Sequence, residues 1–342
     1  CCAEVLWPAS KEMAFEKVSV TTSIEQKKWQ WTKVETDCLI LLRRQQLYLL
    51  SLDTAFNTAL EMSFWVQKLS LITIYLYIYS FHMPLFMLVS GYLFAYSASR
   101  RSIGENMKKK FFTLIVPIFV WVALLQISSI ASDRYHSNSI HLFGIIKAYI
   151  SGVVHGFWFL WAIFWSALVV LVVRKYLRDR SFVYIGIALM CLFLPNKYPI
   201  HMCSFVFPYF VLGYKFNLYK TKIDFKEVTK PSAFICISIL FFVLLSLYNR
   251  SSYIYTSGYC ILNGNMLHQL LIDFYRFCIG LVGSIFCLLL LEKVYRFVKN
   301  TNWSQSILYV GQKTMGIYLI QGYLAYFGAS SPTSTEVVTH CG

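Results

Sequence analysis

Eight stretches of this chain are long, apolar and nearly free of charge, and every second connection between them is rich in lysine and arginine. That alternation restricts the fold more than any single motif does. Windows at 69–97, 111–131, 155–173, 181–195, 202–216, 231–248, 270–291 and 306–327 approach the length a helix needs to cross a bilayer. The runs are continuous and lack the residue-by-residue alternation of a barrel strand. Charged residues make up only 14% of the 342 residues, against about 25% in soluble chains, too few to coat a water-soluble globule. The fold class expected is all-α: a polytopic transmembrane helical bundle of about eight spans.

The net charge of +15 would suit a nucleic-acid partner, but its distribution argues against one. One set of connections carries Arg100, Arg101 and Lys108–Lys110, then Arg174, Lys175, Arg178 and Arg180. It continues with Lys215, Lys220, Lys222, Lys226 and Lys230, then Lys293, Arg296 and Lys299. The alternate set holds only Arg134, Lys147, Lys197 and Arg250. Basic residues mark the cytoplasmic side, so the first set is expected inside. The ten cysteines form no CxxC or Cys/His metal spacing. Cys191, Cys203, Cys236, Cys278 and Cys287 lie within apolar runs and read as small packing residues. No metal is expected.

The ends differ from the middle. Residues 1–63 are mixed in character, and their apolar patch CLILLRRQQLYLLSL (38–52) has Arg43 and Arg44 at its centre. Two adjacent arginines at mid-bilayer would cost several kcal/mol, so this patch is not read as a span. It is not a signal peptide either, because no small-residue cleavage site follows a clean apolar core. The segment GASSPTSTEVVTHCG (328–342) is polar. The membrane core is therefore expected over 64–327, flanked by two atypical segments.

Within the core, FHMPLFMLVSGYLF (81–94) puts a titratable ring, a helix-breaker and a hydroxyl in an apolar run. The topology sets His82 in the outer half of the membrane. There a neutral imidazole can take a proton from a hydroxyl, or simply anchor a helix end at the interface. Pro84 is expected to kink the helix and open space beside the ring. Ser90 and Gly91 permit close helix approach. The cluster Arg100, Arg101, Lys108, Lys109 and Lys110 is either a topology signal or a grip on the phosphates of an anionic cosubstrate. Trp158, Trp161 and Trp165 in HGFWFLWAIFW (155–165) fit an interfacial belt, and Trp158 could equally line an acceptor site. Arg276 lies inside a span and needs a partner, the nearest being Asp273; it serves structural pairing or anion binding. Lys313 can snorkel from its span end.

FHMPLFMLVSGYLF resembles the second membrane segment of the membrane-bound acyltransferase-3 family, and within it the fucose 4-O-acetylase-like branch. Further stretches agree in order: LIVPIFVW (114–121), FWFLWAIF (157–164), FPYFVLGY (207–214), LIDFYRFCIGLVGSIF (271–286) and VGQKTMGIYLIQGY (310–323). The resemblance implies an integral protein of the bacterial inner membrane that transfers an acyl group, usually acetyl, from acetyl-CoA inside to a hydroxyl of a sugar or envelope polysaccharide. It implies that Lys110 and its basic neighbours meet the CoA phosphates, that Trp158 matches the family's tryptophan, and that Ser90–Gly91 match its Ser–Gly pair. The family's first helix carries a histidine taken as the base; here no histidine precedes His82. His82 is then the catalytic-site candidate, more as a residue orienting the acceptor or the base than as the base itself, with Ser90, Trp158 and Arg276 as substrate-side candidates; if the two ends of the core were lost or frame-shifted, and the first-helix histidine with them, the chain would be inactive. A transporter or flippase for an envelope lipid or saccharide is the competing expectation. It would favour internal repeats, and the sequence halves are not alike.

Overall fold

The computed structural model describes residues 67–135, 142–220, 230–262 and 265–298, and among these every regular element is helical. The window 306–327, the patch 38–52, Lys313 and the segment 328–342 lie outside the described residues. The helices are α1 (Gln67–Arg100), α2 (Ile103–Lys110), α3 (Val116–Tyr135), α4 (Leu142–His155), α5 (Trp158–Tyr176), α6 (Ser181–Cys191), α7 (Ile200–Tyr219), α8 (Pro231–Ser246), the short α9 (Ile254–Ser257) and α10 (Met266–Val298). A π-helical turn, Phe111–Ile115, joins α2 to α3.

Four helical segments are long and apolar enough to cross a membrane: Leu76–Arg100, Ile103–Ala131, Trp158–Tyr176 and Met266–Val294. Each lies on one of the expected windows. The windows at 181–195 and 231–248 instead hold α6 and α8, of 11 and 16 residues. At 1.5 Å per residue these reach only about 16 and 24 Å, short of a hydrocarbon core of about 30 Å. The 202–216 window is α7, 20 residues long and interrupted by His201, Ser204, Lys215 and Asn217. Three helices were not expected: α2 in the basic connection before the second window, the short α9, and α4, which occupies the connection between the second and third windows, where Lys147, Ser151 and His155 break the apolar pattern.

Polar and apolar surfaces are arranged opposite to a soluble protein. His82, His201, Asp273, Arg276 and Ser284 are buried, while Ile127, Phe182, Ile185, Ile239 and Phe242 are exposed. Broad exposed apolar surface of this kind suits contact with lipid chains. The described cysteines are all free thiols, and Cys260 and Cys287 are buried.

The core is built on α1 and α7. Gly91 lies so close to α7 that a Cβ there would fall on the Phe210 carbonyl, and a Cβ on Gly213 would fall on that of Leu88. The glycines let two backbones touch, as small residues do in membrane bundles. Asn217 donates to the Tyr92 carbonyl at 3.1 Å, a separation of 125 residues, and Lys220 donates to the Tyr96 hydroxyl at 2.6 Å, a separation of 124. Nearly constant separation means that α1 and α7 run side by side in the same direction. Because the obstacle is main chain and not a side-chain tip, Gly213→Ala is expected to lose about 3 kcal/mol, read as a lower thermal unfolding midpoint in detergent.

The lysines and arginines gather at one end of this bundle, called the basic end below. Lys215 pairs with Asp179 at 3.1 Å, and the hydroxyls of Tyr184 and Tyr214 also reach that carboxylate. Ser102 caps α2 in a reciprocal capping box with Glu105, fixing the start of the helix that carries Lys108–Lys110.

Candidate functional site

His82 is fully buried, at 0% exposure, near the end of the bundle opposite the basic one. Eighteen residues of helix separate it from Arg100, which is about 27 Å. Its Nδ1 lies 3.1 Å from the carbonyl oxygen of Ile78. A carbonyl can only accept, so Nδ1 carries the proton and Nε2 the lone pair. Nε2 is buried and has no hydrogen-bond partner among the described residues. The imidazole is thus held in one tautomer, its lone-pair nitrogen engaged by none of the described residues. Pro84 does not break α1, which continues to Arg100; its ring faces α10 at Gly280, where a Cβ would meet it.

Arg276, 2% exposed, closes this end. Its Nε donates to Ser252 O at 2.7 Å. Nη1 donates to Gly258 O at 2.5 Å and to the Asp273 carboxylate at 2.7 Å. Nη2 donates to Tyr253 O at 3.3 Å and to the Ser257 hydroxyl. All five guanidinium donors are therefore used within the protein, and four of them fasten the 250–262 segment over the bundle. Gln269 Nε2 reaches both oxygens of Asp273 at 3.1 Å, so the pair is satisfied as well as paired. Gly258 turns the segment at φ +71°, and a Cβ there would strike the Asn196 side chain. Only glycine adopts that conformation freely.

The fastened segment brings tyrosines onto His82. The Tyr79 ring lies 4.6 Å from His82, 5.2 Å from Tyr253 and 5.6 Å from Tyr255. Tyr79 donates to the Tyr255 hydroxyl at 2.8 Å. Tyr255 neighbours Tyr198 at 6.4 Å, which neighbours His201 at 6.1 Å and stacks on His155 at 5.9 Å. Tyr198 lies in the connection before α7, and burial pushes its phenol up to about 12. It remains a hydroxyl donor at neutral pH, and it donates to His155 O at 3.1 Å. Beside this cluster an apolar groove of about 580 Å³ opens between α5, α6 and α7, lined by Trp161, Trp165, Ile187, Tyr198, Cys203 and Phe207.

The expected site residues divide between the two ends. His82 and Arg276 meet through Tyr253 and Tyr79. Trp158 is buried at the start of α5 and joins them through Phe159, which packs on Phe86 beside His82. Ser90 is half-buried next to the Gly91 crossing, about 12 Å further along α1 from His82. Arg100, Arg101, Lys108 and Lys109 are exposed at the basic end, and Lys110 lies over the Phe94 ring at 5.3 Å. The π turn follows directly: Val116 bonds back to Phe111, and Pro117 has no N–H to continue the regular pattern. Among the described residues no three His, Cys, Asp or Glu side chains cluster as a metal site would need.

Tyr79, Tyr198, Tyr255 and His201 were not among the expected residues. A signal for the last was present: PIHMCSF and SFHMPLF both open a segment with His–Met, and each segment ends in Gly–Tyr.

The model of the family described as an acyltransferase domain matches residues 50–330. The nodulation protein NolL of Mesorhizobium japonicum is 25% identical over 257 residues, covering 72% of this chain and 65% of that protein. The nodulation protein NolL of Sinorhizobium fredii is 24% identical over 252 residues, covering 72% and 66%. The match therefore spans just under two thirds of these relatives' length. No solved structure matches significantly.

Proposed function

Since the chain belongs to the acyltransferase family whose model spans residues 50–330, we propose that it is an integral membrane O-acyltransferase of a bacterial inner membrane. It moves an acyl group, acetyl in the first instance, from acyl-CoA to a hydroxyl of a sugar or envelope polysaccharide. The observation that carries this reading is the buried His82, proton on Nδ1 and Nε2 unoccupied, at the opposite end of the bundle from the exposed cations. Further spans beside the four long apolar helices, with the basic end cytoplasmic, complete the arrangement.

In this reading Arg100, Arg101, Lys108, Lys109 and Lys110 hold the phosphates of acyl-CoA at the cytoplasmic mouth. The acceptor enters from the opposite side, against Trp158 and the tyrosines that Arg276 holds in place. Its hydroxyl donates to His82 Nε2, its oxygen attacks the thioester carbonyl, and the carbon–sulfur bond breaks. The proton passes through the imidazole to the departing thiolate. Ser90 lies between the two mouths, on the route the acyl arm must take.

The test is radiolabelled acetyl-CoA supplied to membranes containing the full chain. Label is expected in saccharide, and changing Lys108, Lys109 and Lys110 together to Gln is expected to raise the KM for acetyl-CoA about tenfold or more. Absence of label both here and with a relative bearing a first-helix histidine overturns the reading. Label with that relative alone would overturn the activity proposed for this chain. Impermeant thiol labelling of a cysteine introduced at Lys230 from the outer face would overturn the orientation.

A further inference from the structure

His201 is a second buried imidazole that the scheme above does not use. It is 7% exposed, and its Nδ1 has no hydrogen-bond partner among the described residues. His82 gives its Nδ1 proton to the carbonyl four residues back at 3.1 Å, whereas the His201 ring, whose nearest acceptor is the Lys197 carbonyl already taken by the backbone N–H groups of Ile200 and His201, makes no well-aligned bond among the described residues. A buried polar group without a partner costs about 1–3 kcal/mol, and such groups call for an explanation, an absent ligand among them.

The position of His201 supplies that explanation. Helices α1 and α7 run parallel with separations of 125 and 124 residues between facing positions. His201 thus sits about 8 Å beyond the level of His82, away from the basic end. Both imidazoles lie under the 250–262 segment: His82 reaches Tyr255 through Tyr79, and His201 reaches it through Tyr198. Tyr255 is where the two paths meet, and it is 45% exposed. The buried charges next to this cluster, Arg276 and Asp273, neutralise each other. What remains for a ligand is two imidazole nitrogens at neighbouring depths and a wall of tyrosine rings. That combination suits a neutral polyhydroxyl, with ring faces for its C–H surface and imidazoles for its hydroxyls.

We propose that His201 is the second hydrogen-bonding residue of the acceptor site, holding one hydroxyl of a neutral saccharide while His82 receives another. The proposal rests on the acyltransferase reading for its chemistry, but the binding site can be tested alone. The full chain is reconstituted in lipid nanodiscs and treated with diethyl pyrocarbonate, with modified histidines mapped by mass spectrometry. The probes are methyl glycosides of a hexose, a 6-deoxyhexose and an N-acetylhexosamine. At least one glycoside is expected to slow modification of both His201 and His82 while leaving the exposed His268 unaffected. His201→Phe, which keeps a ring and loses the polar nitrogens, is expected to raise the Kd for that glycoside about tenfold, and His201→Gln to recover part of the loss. Protection of neither histidine, or wild-type affinity in His201→Phe, overturns the proposal. If glycoside protection stands but labelled acetyl-CoA transfers nothing, the acyltransferase reading falls and the saccharide site survives. If transfer proceeds in His201→Phe with an unchanged acceptor KM, the site falls and the acyltransferase reading survives.

Discussion

Replacing Arg276 by methionine is expected to cost about 3–5 kcal/mol, because it leaves the buried Asp273 carboxylate without its counter-charge. The same change frees the carbonyls of Ser252, Tyr253 and Gly258, so the 250–262 segment loses its attachment as well. The measurement is the thermal unfolding midpoint in detergent, followed alongside thiol labelling. Cys260, 3% exposed within that segment, is expected to become reactive in the variant and to stay protected in the wild type. Arg276→Lys is expected to be nearly as damaging, since one ammonium cannot replace five forked donors. In Arg276→Met/Asp273→Leu the stranded charge is gone, and stability is expected to recover in part while Cys260 remains reactive. Full protection of Cys260 in the single variant would show that the segment is held by something else.

The largest effect on activity is expected at His82. His82→Gln preserves much of the buried volume and a hydrogen bond to Ile78 O, but provides no base. Acyl transfer is expected to fall about 100- to 10,000-fold, the range for losing a positioned proton acceptor. Membrane insertion and the unfolding midpoint are expected to stay near wild type. A fall in kcat with little change in the KM for acetyl-CoA would separate loss of a base from loss of the donor site. Transfer at the wild-type rate would remove His82 from the chemistry.

Much of this was legible in the sequence because lipid is a demanding solvent. Uncharged runs long enough to span it declared four of the helices, and the alternating lysines correctly foretold that Arg100, Lys110, Lys215 and Arg296 would share one end. His82 stood out because an ionisable ring in an apolar run needs a reason. What stayed hidden depended on register between segments far apart in the chain. The Gly91–Phe210 contact, the meeting of Tyr79 with Tyr255 and the placing of His201 one to two turns beyond His82 come from helix pairing, which no local pattern encodes. Arg276 was visible as a buried cation with Asp273 one turn away, but its grip on the 250–262 carbonyls required knowing where that segment folds. The short helices α6 and α8 were overestimated because hydropathy windows measure greasiness and not the helix ends.

The glycine contact between α1 and α7 gives the molecule a fulcrum. Two backbones pressed together there can pivot but not slide. His201 stands 12 residues from Gly213 along α7, a lever arm of about 18 Å. Rotation of α7 by about 5° would swing that imidazole by roughly 1.5 Å, enough to cost about 100-fold where reacting groups must be aligned. Substitutions at Gly213 should therefore be felt in turnover even where the fold survives them.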